Sequence, residues 1–381
     1  MPRILYIGQA PAEGTGSPVI VLRHLRRLAA SGWEVTVVAE RGATSAACQR
    51  EGWPLLSLIT CRPWWPPFRH GIAFSRSIRT WLLAGECQRL IGPRRPDAVL
   101  THLAAHDDFL PEVAVRHASR HRVPLTMFIH DEAAAFTADH GEKKRLRHRH
   151  HHFLRVAHRR WFATRELAAA YGYDIPPREV LPPIPSGWPA FVDWRPSFPD
   201  RPLVYYAGYV WPAQFALLRV LARTIAESGA TLVLLTRHTP QLAEFLRENP
   251  IEHVAPFATN QEVLEHLAAH AAGLLVSYSA TIAEMPWIAT SFPSKLIEQC
   301  HLGLPCAIVA PATSAVGRWA RQTGYPDCFA PGEQTRLAAW TRDLLAAPTW
   351  RQRAAPVRRL AAAEFDPEKI QTAFANALLR S

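Results

Sequence analysis

Apolar and polar positions follow each other along the chain in blocks that are typical of alternating strands and helices. The apolar run RILYI stands at residues 3–7, and an amphipathic stretch extends from Val19 to Ala30 after a glycine-rich loop. Gly32 ends that stretch, and EVTVVAE forms the next apolar run. Short apolar runs bounded by turn residues indicate buried strands, and apolar positions three and four residues apart indicate a helix. The start of the chain therefore predicts a β-loop-α-β unit, the opening of a parallel doubly wound sheet.

The same rhythm continues along the rest of the chain in two series. In the first, strands are expected at Leu55–Leu58, Ala98–Thr101 and Leu125–Ile129 and in RWFATREL, with helices between them. In the second, strands are expected in LVYYAGYV, TLVLLTRH, IEHVAPFA, AGLLVSYS and CAIVAP. Strands that alternate with helices build parallel sheets. The predicted fold class is α/β, with two Rossmann-like doubly wound domains that face a central cleft, since such sheets bind ligands at the carboxyl ends of their strands.

A proline-rich stretch divides the two series. Residues 182–202, PPIPSGWPAFVDWRPSFPDRP, have no hydrophobic period and are typical of a linker. The chain has 381 residues, which is more than one hydrophobic core usually holds. We expect an N-terminal domain at 1–185, a linker at 186–202 and a C-terminal domain at 203–364. Residues 365–381 predict a C-terminal helix that returns to the N-terminal domain.

The charge balance favours an anionic partner. The formal net charge is +11 and the isoelectric point is about 9.8, which suits a nucleotide, a phospholipid or a nucleic acid. The six cysteines contain no CxxC pair and no metal-ligand spacing, so a reduced cytoplasmic protein is expected. No apolar stretch approaches the roughly 18 residues of a transmembrane helix. The N-terminal apolar run is too short for a signal peptide.

The segment SFPSKLIEQCHLGLPCAIVAP at residues 291–311 combines a helix with a phosphate-binding pattern. Proline is tolerated in a first helical turn and Gly303 marks a helix end, so a helix is expected at about Pro293–His301. Free backbone N–H groups at a helix N-terminus attract phosphate. Ser294 adds a hydroxyl there, and Lys295 adds a mobile cation in a chain that has only four lysines among 43 Lys and Arg residues.

Glu298 lies one helical turn beyond Lys295, about 4.5 Å along the axis and on nearly the same face. That distance roughly matches the step from a diphosphate to the ribose of the same nucleotide, whose two hydroxyls a carboxylate can bind. One helix could therefore hold both the phosphate and the ribose. The alternative is a surface ion pair between Lys295 and Glu298, which is worth a few tenths of a kcal/mol.

FPSKLIEQCHLGLPCAIVA resembles the donor-nucleotide segment of the large retaining glycosyltransferase family with the GT-B fold, the family 4-like group. Phe292, Glu298 and the LGLP turn match that family's pattern. The resemblance covers most of the chain. Residues 3–40 are similar to the family's N-terminal unit, TRELAAAYGYDIPPREVLPPIP to the approach to its linker, and APFATNQEVLEHLAAHAAGLLVSYS to the middle of its nucleotide domain.

The resemblance implies a C-terminal domain that binds a UDP- or GDP-sugar as co-substrate, with no separate cofactor. It implies an N-terminal domain that binds a glycan, lipid-linked or small-molecule acceptor. The reaction it implies is hexosyl transfer without a metal ion, in keeping with the lack of an Asp-x-Asp motif in the sequence. It assigns the donor nucleotide to five residues: Gly208, Phe292, Ser294, Lys295 and Glu298.

The chain departs from the family's pattern at three places. Thr290 stands where the family has a glutamate that is associated with the donor sugar, and Pro293 replaces a glycine. AGYVWPAQF lacks the basic residue that usually follows the first strand of the C-terminal domain, so Lys295 is expected to supply that charge. Thr290 keeps open the alternative of a nucleotide-sugar epimerase or an inactive relative. The high isoelectric point keeps open a nucleic-acid-binding protein, although no nucleic-acid motif occurs and no such partner is expected.

The first loop and the ends of two strands supply candidate residues in the N-terminal domain. From its residues alone GQAPAEGTGSP is a loose βα loop, whereas the resemblance places Gly14, Thr15 and Gly16 against the donor diphosphate and the acceptor. His130 ends a strand and is either structural or, by the resemblance, bound to sugar hydroxyls, with Asp131 beside it as a second catalytic candidate. Three candidates for an acceptor pocket lie near the end of another strand: His102, His106 and Asp107.

Two further features could meet a membrane. KKRLRHRHHHFLRVAHRR at residues 143–160 has eight Lys or Arg, five His and no acid. It is either a solvated helix face or an attractor for anionic lipid headgroups or a pyrophosphate-linked lipid acceptor, which would place the protein peripherally at the inner face of the membrane. Its histidines lack the interleaved carboxylate or cysteine of a metal site. CRPWWPPFRHG offers Trp64, Trp65 and Phe68 to a membrane or an acceptor, or packs as a loop.

Overall fold

The computed structural model of the protein describes residues 1–379 except residues 15, 41, 59–71, 94, 104–108, 138, 177–178, 199 and 201. The chain divides into two compact units. Unit 1 consists of Met1–Ile184 and Glu368–Ser381, and unit 2 consists of Pro185–Pro367. The chain therefore leaves unit 1 once, builds all of unit 2 and returns.

Unit 1 is built on a parallel six-stranded sheet. Its strands are β1 (Arg3–Ile7), β2 (Glu34–Glu40), β3 (Leu55–Leu58), β4 (Ala98–Leu103), β5 (Leu125–Ile129) and β6 (Arg159–Phe162). Their order is β3-β2-β1-β4-β5-β6, the Rossmann order, which reverses between β1 and β4. Every residue of β4 and β5 is buried, because a parallel sheet is covered on both faces. The helices of this segment are α1 (Ser17–Ala30), α2 (Ala46–Glu51), α3 (Ile72–Ile91), α4 (Phe109–His121), α5 (His140–Val156) and α6 (Arg165–Ala170), with a 3-10 helix at Ala133–Phe136.

Unit 2 repeats this topology. Its strands are β7 (Leu203–Ala207), β8 (Thr231–Leu235), β9 (Ile251–Val254), β10 (Gly273–Ser277), β11 (Cys306–Val309) and β12 (Cys328–Phe329). Their order is β12-β11-β10-β7-β8-β9, which reverses between β7 and β10. The helices are α7 (Phe215–Glu227), α8 (Pro240–Arg247), α9 (Asn260–His270), α10 (Ser294–Gln299), α11 (Ala315–Thr323), α12 (Gln334–Asp343) and α13 (Ala347–Ala363). Short 3-10 helices lie at Pro212–Gln214, Pro286–Ala289 and Cys300–Leu302. The α/β fold class with two Rossmann-like domains is confirmed.

The last helix, α14 (Pro367–Leu379), contributes to the core of unit 1 from Glu368 onward. Nδ1 of His24 on α1 donates to Oε1 of Gln371 at 2.8 Å, and the His24 ring centroid lies 4.5 Å from that of Phe374. Ile370 and Phe374 belong to a buried apolar cluster that also includes residues of α1 and the sheet. The returning helix thus covers apolar surface that the first segment alone leaves open.

The proline-rich stretch that the sequence assigns to a linker is part of unit 2. Val192 and Phe198 are buried in its core, and the N–H of Val192 donates to the carbonyl of Leu302 at 2.8 Å. The units divide at Ile184, next to the expected start of the linker. The stretch packs because it carries large apolar side chains between its prolines, a feature that its proline content conceals.

The basic stretch 143–160 is not a single helix. α5 ends at Val156, and the last two arginines of the stretch, Arg159 and Arg160, belong to β6. α5 begins at a capping Asp139, whose carboxylate accepts backbone N–H bonds of the first turn. Of the helices in the described part of the chain, none is both long enough and apolar enough to cross a bilayer.

Candidate functional site

Lys295 lies at the carboxyl end of β7, in the middle of the unit 2 sheet. Its ammonium nitrogen is 3.6 Å from the centroid of the Tyr206 ring, a cation–π contact. Gly208 follows β7 with a φ of +133°, and a Cβ at this position would lie 3.3 Å from Nζ of Lys295. Lys295 forms no ion pair with a carboxylate of the described residues. An uncancelled positive charge is therefore held where the strand order reverses, the place where doubly wound sheets bind ligands.

The helix that carries Lys295 is close to the expected one. Pro293 is its N-cap, Ser294 is its first residue and lies exposed, and α10 ends at Gln299 before a final 3-10 turn. Gly303 has a φ of +69° and ends the helix in the left-handed region, which the sequence predicts. The helical segment therefore begins and ends close to where the sequence predicts, but its last turn is a 3-10 helix and not an α-helix.

Glu298 is bonded to two other residues of unit 2 and not to Lys295. Its Oε1 accepts a hydrogen bond from Nδ2 of Asn260, the first residue of α9, at 2.7 Å. The carboxylate also accepts from the backbone N–H of Ser186 at 3.2 Å and from the Ser186 hydroxyl. The surface ion pair, which was the alternative for Lys295 and Glu298, is therefore not formed. Each side chain is held by its own partners, one an aromatic ring and the other a pair of hydrogen-bond donors.

Thr290 and Phe292 lie in the segment that leads into α10. Thr290 is buried, and its N–H and hydroxyl donate to the carbonyl of Trp287 at 3.1 and 3.3 Å. It places a neutral group where the resemblance leads us to expect a carboxylate. The ring of Phe292 packs against Trp319 and Phe365, with centroids 5.2 and 5.9 Å apart. Phe292 therefore supports the segment from the core, whereas the resemblance assigns it to the nucleotide.

Three aromatic side chains form a group beside this sheet edge, which we call the aromatic platform: Tyr209, Trp211 and Trp287. The ring centroids of Tyr209 and Trp211 are 4.7 Å apart, and those of Trp211 and Trp287 are 5.2 Å apart. Tyr209 and Trp211 are 51% and 41% exposed. In AGYVWPAQF the sequence signal for this group is two large aromatic residues shortly after Gly208, the glycine that follows β7.

Two buried histidines lie together at the carboxyl ends of β4 and β5 in unit 1. The ring centroids of His102 and His130 are 4.8 Å apart, and Nδ1 of His130 lies 3.2 Å from the hydroxyl of Ser17 at the start of α1. Burial lowers the pKa of His130 to about 4. Burial, together with the neighbouring His130, also holds the pKa of His102 well below its usual range. Both imidazoles are therefore neutral at pH 7, and Nε2 of His102 is buried without a hydrogen-bond partner among the described residues.

The remaining candidates of unit 1 are described only in part. Gly14 and Gly16 have φ values of +116° and +80°, a backbone region that favours glycine. Asp131 is half-buried beside His130. Six candidates lie outside the described residues: Thr15, His106, Asp107, Trp64, Trp65 and Phe68.

A groove of about 1090 Å³ lies between α3, α4 and α5 in unit 1. Its apolar lining includes Phe153, and Trp81 stands at its side with 59% of its surface exposed. Five lysine and arginine side chains and one carboxylate, that of Glu112, are among the other lining residues. Three of the cations form no ion pair with a described residue: Arg120, Lys144 and Arg145. The described residues contain no cluster of three or more His, Cys, Asp or Glu side chains that could hold a metal ion.

A family model for the glycosyl transferase 4-like domain matches residues 15–187 of this chain. The match covers nearly all of the first segment of unit 1. It favours the glycosyltransferase hypothesis over the nucleic-acid-binding alternative. No curated protein sequence matches the chain.

Solved structures of similar fold extend over almost the whole chain. Sucrose-phosphate synthase from Thermosynechococcus elongatus has a TM-score of 0.67 at 13% identity, over 98% of this chain and 97% of its own. HepE from Anabaena, solved in complex with UDP, has a TM-score of 0.65 at 13% identity over 99% of both chains. A glycosyltransferase from Rickettsia africae has a TM-score of 0.65 at 10% identity, over 100% of this chain and 99% of its own. At these identities the likeness shows the two-domain fold that the proteins share.

Proposed function

Since a family model for the glycosyl transferase 4-like domain matches residues 15–187 and the fold is that of GT-B glycosyltransferases, we propose that the chain is such an enzyme and transfers a hexosyl group from a nucleoside diphosphate sugar to an acceptor. In this proposal unit 2 binds the donor, a UDP- or GDP-sugar, and unit 1 binds a glycan, lipid-linked or small-molecule acceptor. The observation that carries the proposal is the uncancelled cation of Lys295 at the reversal point of the unit 2 sheet.

Lys295 suits the diphosphate of the donor. Its ammonium is a compact point charge on a flexible stem, which is favourable for phosphate oxygens. The ring of Tyr206 holds the cation without neutralising it, as a carboxylate would. Gly208 has no side chain, so a phosphate can approach the backbone after β7 where any Cβ would crowd Nζ.

Glu298 suits the ribose of the same nucleotide. Ser186 and Asn260 fix the orientation of its carboxylate. A fixed side chain loses less conformational entropy when a ligand binds. An ionised carboxylate offers about four acceptor positions and each can be shared, so ribose hydroxyls can donate to this carboxylate beside Ser186 and Asn260. The two sites lie on consecutive turns of one helix, about 4.5 Å apart along its axis.

The proposed reaction breaks the bond between the anomeric carbon and the diphosphate oxygen and forms a bond from that carbon to the acceptor oxygen. The proton of the acceptor hydroxyl passes to the departing phosphate on the same face, which retains the anomeric configuration. Lys295 stabilises the negative charge that develops on the leaving diphosphate, so no metal ion is required for that role. In unit 1 the neutral His130 is engaged at Nδ1 with Ser17, which leaves Nε2 to bond a sugar hydroxyl.

Thermal unfolding with UDP, GDP, ADP and their hexose derivatives tests the donor half of the proposal. A ligand that binds only the folded state raises the unfolding midpoint, so one base should stand out. Proton NMR of the product then reports the anomeric configuration. If the selected nucleotide sugar is bound but only epimerised or left unchanged with every acceptor, the epimerase or inactive alternative that Thr290 keeps open is correct. If no nucleotide stabilises the protein, the proposal is wrong.

We also propose that unit 1 meets an anionic membrane surface that presents a lipid-linked acceptor, at the cytoplasmic face. Three cations that form no ion pair with a described residue, Arg120, Lys144 and Arg145, line the groove between α3, α4 and α5. The exposed Trp81 beside them is suited to the interface between headgroups and acyl chains. The combination of apolar lining and cationic rim supports a lipid surface over a solvated helix face.

A further inference from the structure

The aromatic platform begins in a loop that hydrogen bonds hold rigid. The hydroxyl of Tyr206 donates to the carbonyl of Tyr209 at 2.8 Å. The buried Gln214 accepts from the N–H of Trp211 at 2.9 Å and donates through Nε2 to the carbonyl of Ser277 at 2.8 Å. The loop after β7 is thereby tied to the end of β10. Tyr209 and Trp211 are exposed side chains on a fixed backbone, and such rings bind a ligand with little loss of conformational entropy.

The third ring of the platform, that of Trp287, belongs to the 3-10 helix Pro286–Ala289, which leads toward α10. The carbonyl of Trp287 accepts the N–H of Ser291 at 2.8 Å. Nη2 of Arg318 donates to the carbonyl of Ala289 at 2.6 Å, which anchors the same short 3-10 helix to α11. Two independent chain segments therefore hold the three rings together, one that follows β7 and one that leads into α10.

The platform begins directly after Gly208, the glycine at the proposed phosphate position. Tyr209 is the neighbour of Gly208, and the Cα of Trp211 lies within about 11 Å of the Cα of Gly208, the reach of three extended residues. A pyranose ring attached to a phosphate at Lys295 fits within that reach. In the proposed function the ribose of the nucleotide is held by Glu298, one turn into α10, whereas Trp287 precedes α10. The platform is therefore left for the other substituent of the diphosphate.

We infer that the aromatic platform, Tyr209, Trp211 and Trp287, binds the hexose of the donor: the rings meet at interplanar angles of 71° and 59°, so one exposed ring face, that of Trp211, lies against the face of the sugar that carries axial C–H groups and the other two rings flank it. This inference rests on the proposed function, because the sugar is that of the nucleotide donor. Exposed aromatic faces are partly negative and attract polarised C–H groups. Thr290 beside the platform is neutral, so donor recognition here relies on apolar contact where a carboxylate would bind hydroxyls. The substrate class is a hexose with one continuous apolar face.

Isothermal titration calorimetry of the full-length protein tests the inference with two probes: the nucleoside diphosphate that the thermal panel selects, and its hexose derivative. Trp211→Ala should reduce the affinity for the nucleotide hexose about tenfold and leave the affinity for the free nucleoside diphosphate within about twofold of wild type. Trp211→Phe should restore most of the loss, because a phenyl ring keeps a stacking face. Val220→Ala, which removes an exposed apolar side chain from the outer surface of α7, serves as the matched control.

The outcomes separate the inference from the proposed function. If Trp211→Ala weakens both ligands equally while its unfolding midpoint is unchanged, the platform binds the nucleobase and the inference is wrong. If neither affinity changes, no ligand contacts the platform, which also overturns it. Should Trp211→Ala unfold, the Tyr209→Leu variant gives the same comparison with the indole retained. Wild-type protein that binds neither ligand would refute the proposed function itself, and the platform's assignment with it.

Discussion

The ammonium of Lys295 lies 3.6 Å from the centroid of the Tyr206 ring, and Tyr206 belongs to the strand that ends just before Gly208. A ring face attracts a cation by about 0.5–2 kcal/mol but does not cancel its charge. The contact therefore fixes where the ammonium sits while its charge remains available to an anion. In the proposed function, this pair marks the position of the donor phosphate.

Lys295→Ala should lower the affinity for the nucleoside diphosphate by about 10- to 100-fold, because a hydrogen bond to a charged group contributes about 1.5–3 kcal/mol. Calorimetric titration measures this directly. The control is Lys369→Ala, which removes an exposed lysine from α14. Binding equal to wild type in the Lys295 variant, with an unchanged fold, would show that the phosphate lies elsewhere.

Glu298→Ala should also remove most of the nucleotide affinity, since the ribose loses its carboxylate acceptor. It should lower the unfolding midpoint slightly as well, because Ser186 and Asn260 lose their common acceptor. Asn260→Ala separates the two effects, because it removes one support and keeps the carboxylate. We expect it to reduce affinity only a few-fold. A loss of affinity in Asn260→Ala as large as that in Glu298→Ala would assign Glu298 a structural role.

The stability of unit 1 should fall in mild acid. Burial lowers the pKa of His24 to about 3 and that of His130 to about 4, whereas an unfolded histidine has a pKa of about 6.5. Below pH 6.5 the unfolded chain therefore binds more protons than the folded one, so the stability is fully present above pH 6.5 and decreases as pH falls toward 4. At pH 5 each imidazole reduces the free energy of unfolding by about 2 kcal/mol.

The difference between the unfolding midpoints at pH 7.5 and pH 5 measures this effect. We expect that difference to be smaller in the His24→Asn variant than in wild type. Hydrogen exchange should increase first in α14, because His24 bonds Gln371 and packs on Phe374. An unchanged pH dependence in His24→Asn would mean that other groups cause the loss.

Arg353→Met should destabilise unit 2 by about 3–5 kcal/mol at pH 7.5, because it leaves a buried charge without a partner. Nη1 of Arg353 donates to the fully buried Asp327 at 2.6 Å. Burial raises the pKa of Asp327 to about 6 although the arginine opposes it. The carboxyl is therefore charged at pH 7.5 and becomes neutral in acid, so the cost of Arg353→Met should shrink near pH 5.

The neighbouring Arg351→Met is the control for this measurement. Arg351 pairs with Asp193 at 3.2 Å on the surface, where both side chains are more than half exposed. Exposed pairs contribute about 0–1 kcal/mol, so the denaturation midpoint should hardly move. Equal effects of the two substitutions would argue against a specific role for the buried pair.

Replacing Arg120, Lys144 and Arg145 by glutamine should lower the affinity for vesicles that contain phosphatidylglycerol more than tenfold, because each cation near an anionic surface contributes about 1 kcal/mol. Co-sedimentation with the vesicles measures that affinity. A triple variant of exposed arginines in unit 2, Arg223, Arg247 and Arg342, removes the same charge and should keep binding. Equal loss in both variants would indicate attraction by net charge alone. Unchanged sedimentation of the groove variant would reject the membrane surface.

The periodic features of the fold were accessible from the sequence, because a strand or helix is encoded in neighbouring positions. The end of the Lys295 helix at Gly303 is one such local signal. The partners of the site residues were not accessible in this way. Tyr206 meets Lys295, and Ser186 meets Glu298, only because sheet order and packing bring distant segments together.

The proline-rich stretch is a second example of packing that local sequence does not predict. Its composition is that of a linker, and its prolines do exclude regular structure. Yet Val192 and Phe198 are buried, because packing depends on where an apolar side chain can reach and not on local periodicity. The aromatic platform is not predictable from local sequence for a similar reason: exposed rings become a surface only when two segments hold them side by side.

In topological terms unit 2 is an insertion within unit 1, since the chain completes unit 1 only with α14. A polypeptide that stops at Ile184 lacks Ile370 and Phe374, which are buried against the first segment, and so exposes part of its own core. Unit 2, in contrast, is one continuous segment, Pro185–Pro367, and needs no distant part of the chain to complete its core. Dissection of the protein should therefore succeed for the half that carries Lys295, whereas the other half has to be produced with its two ends joined.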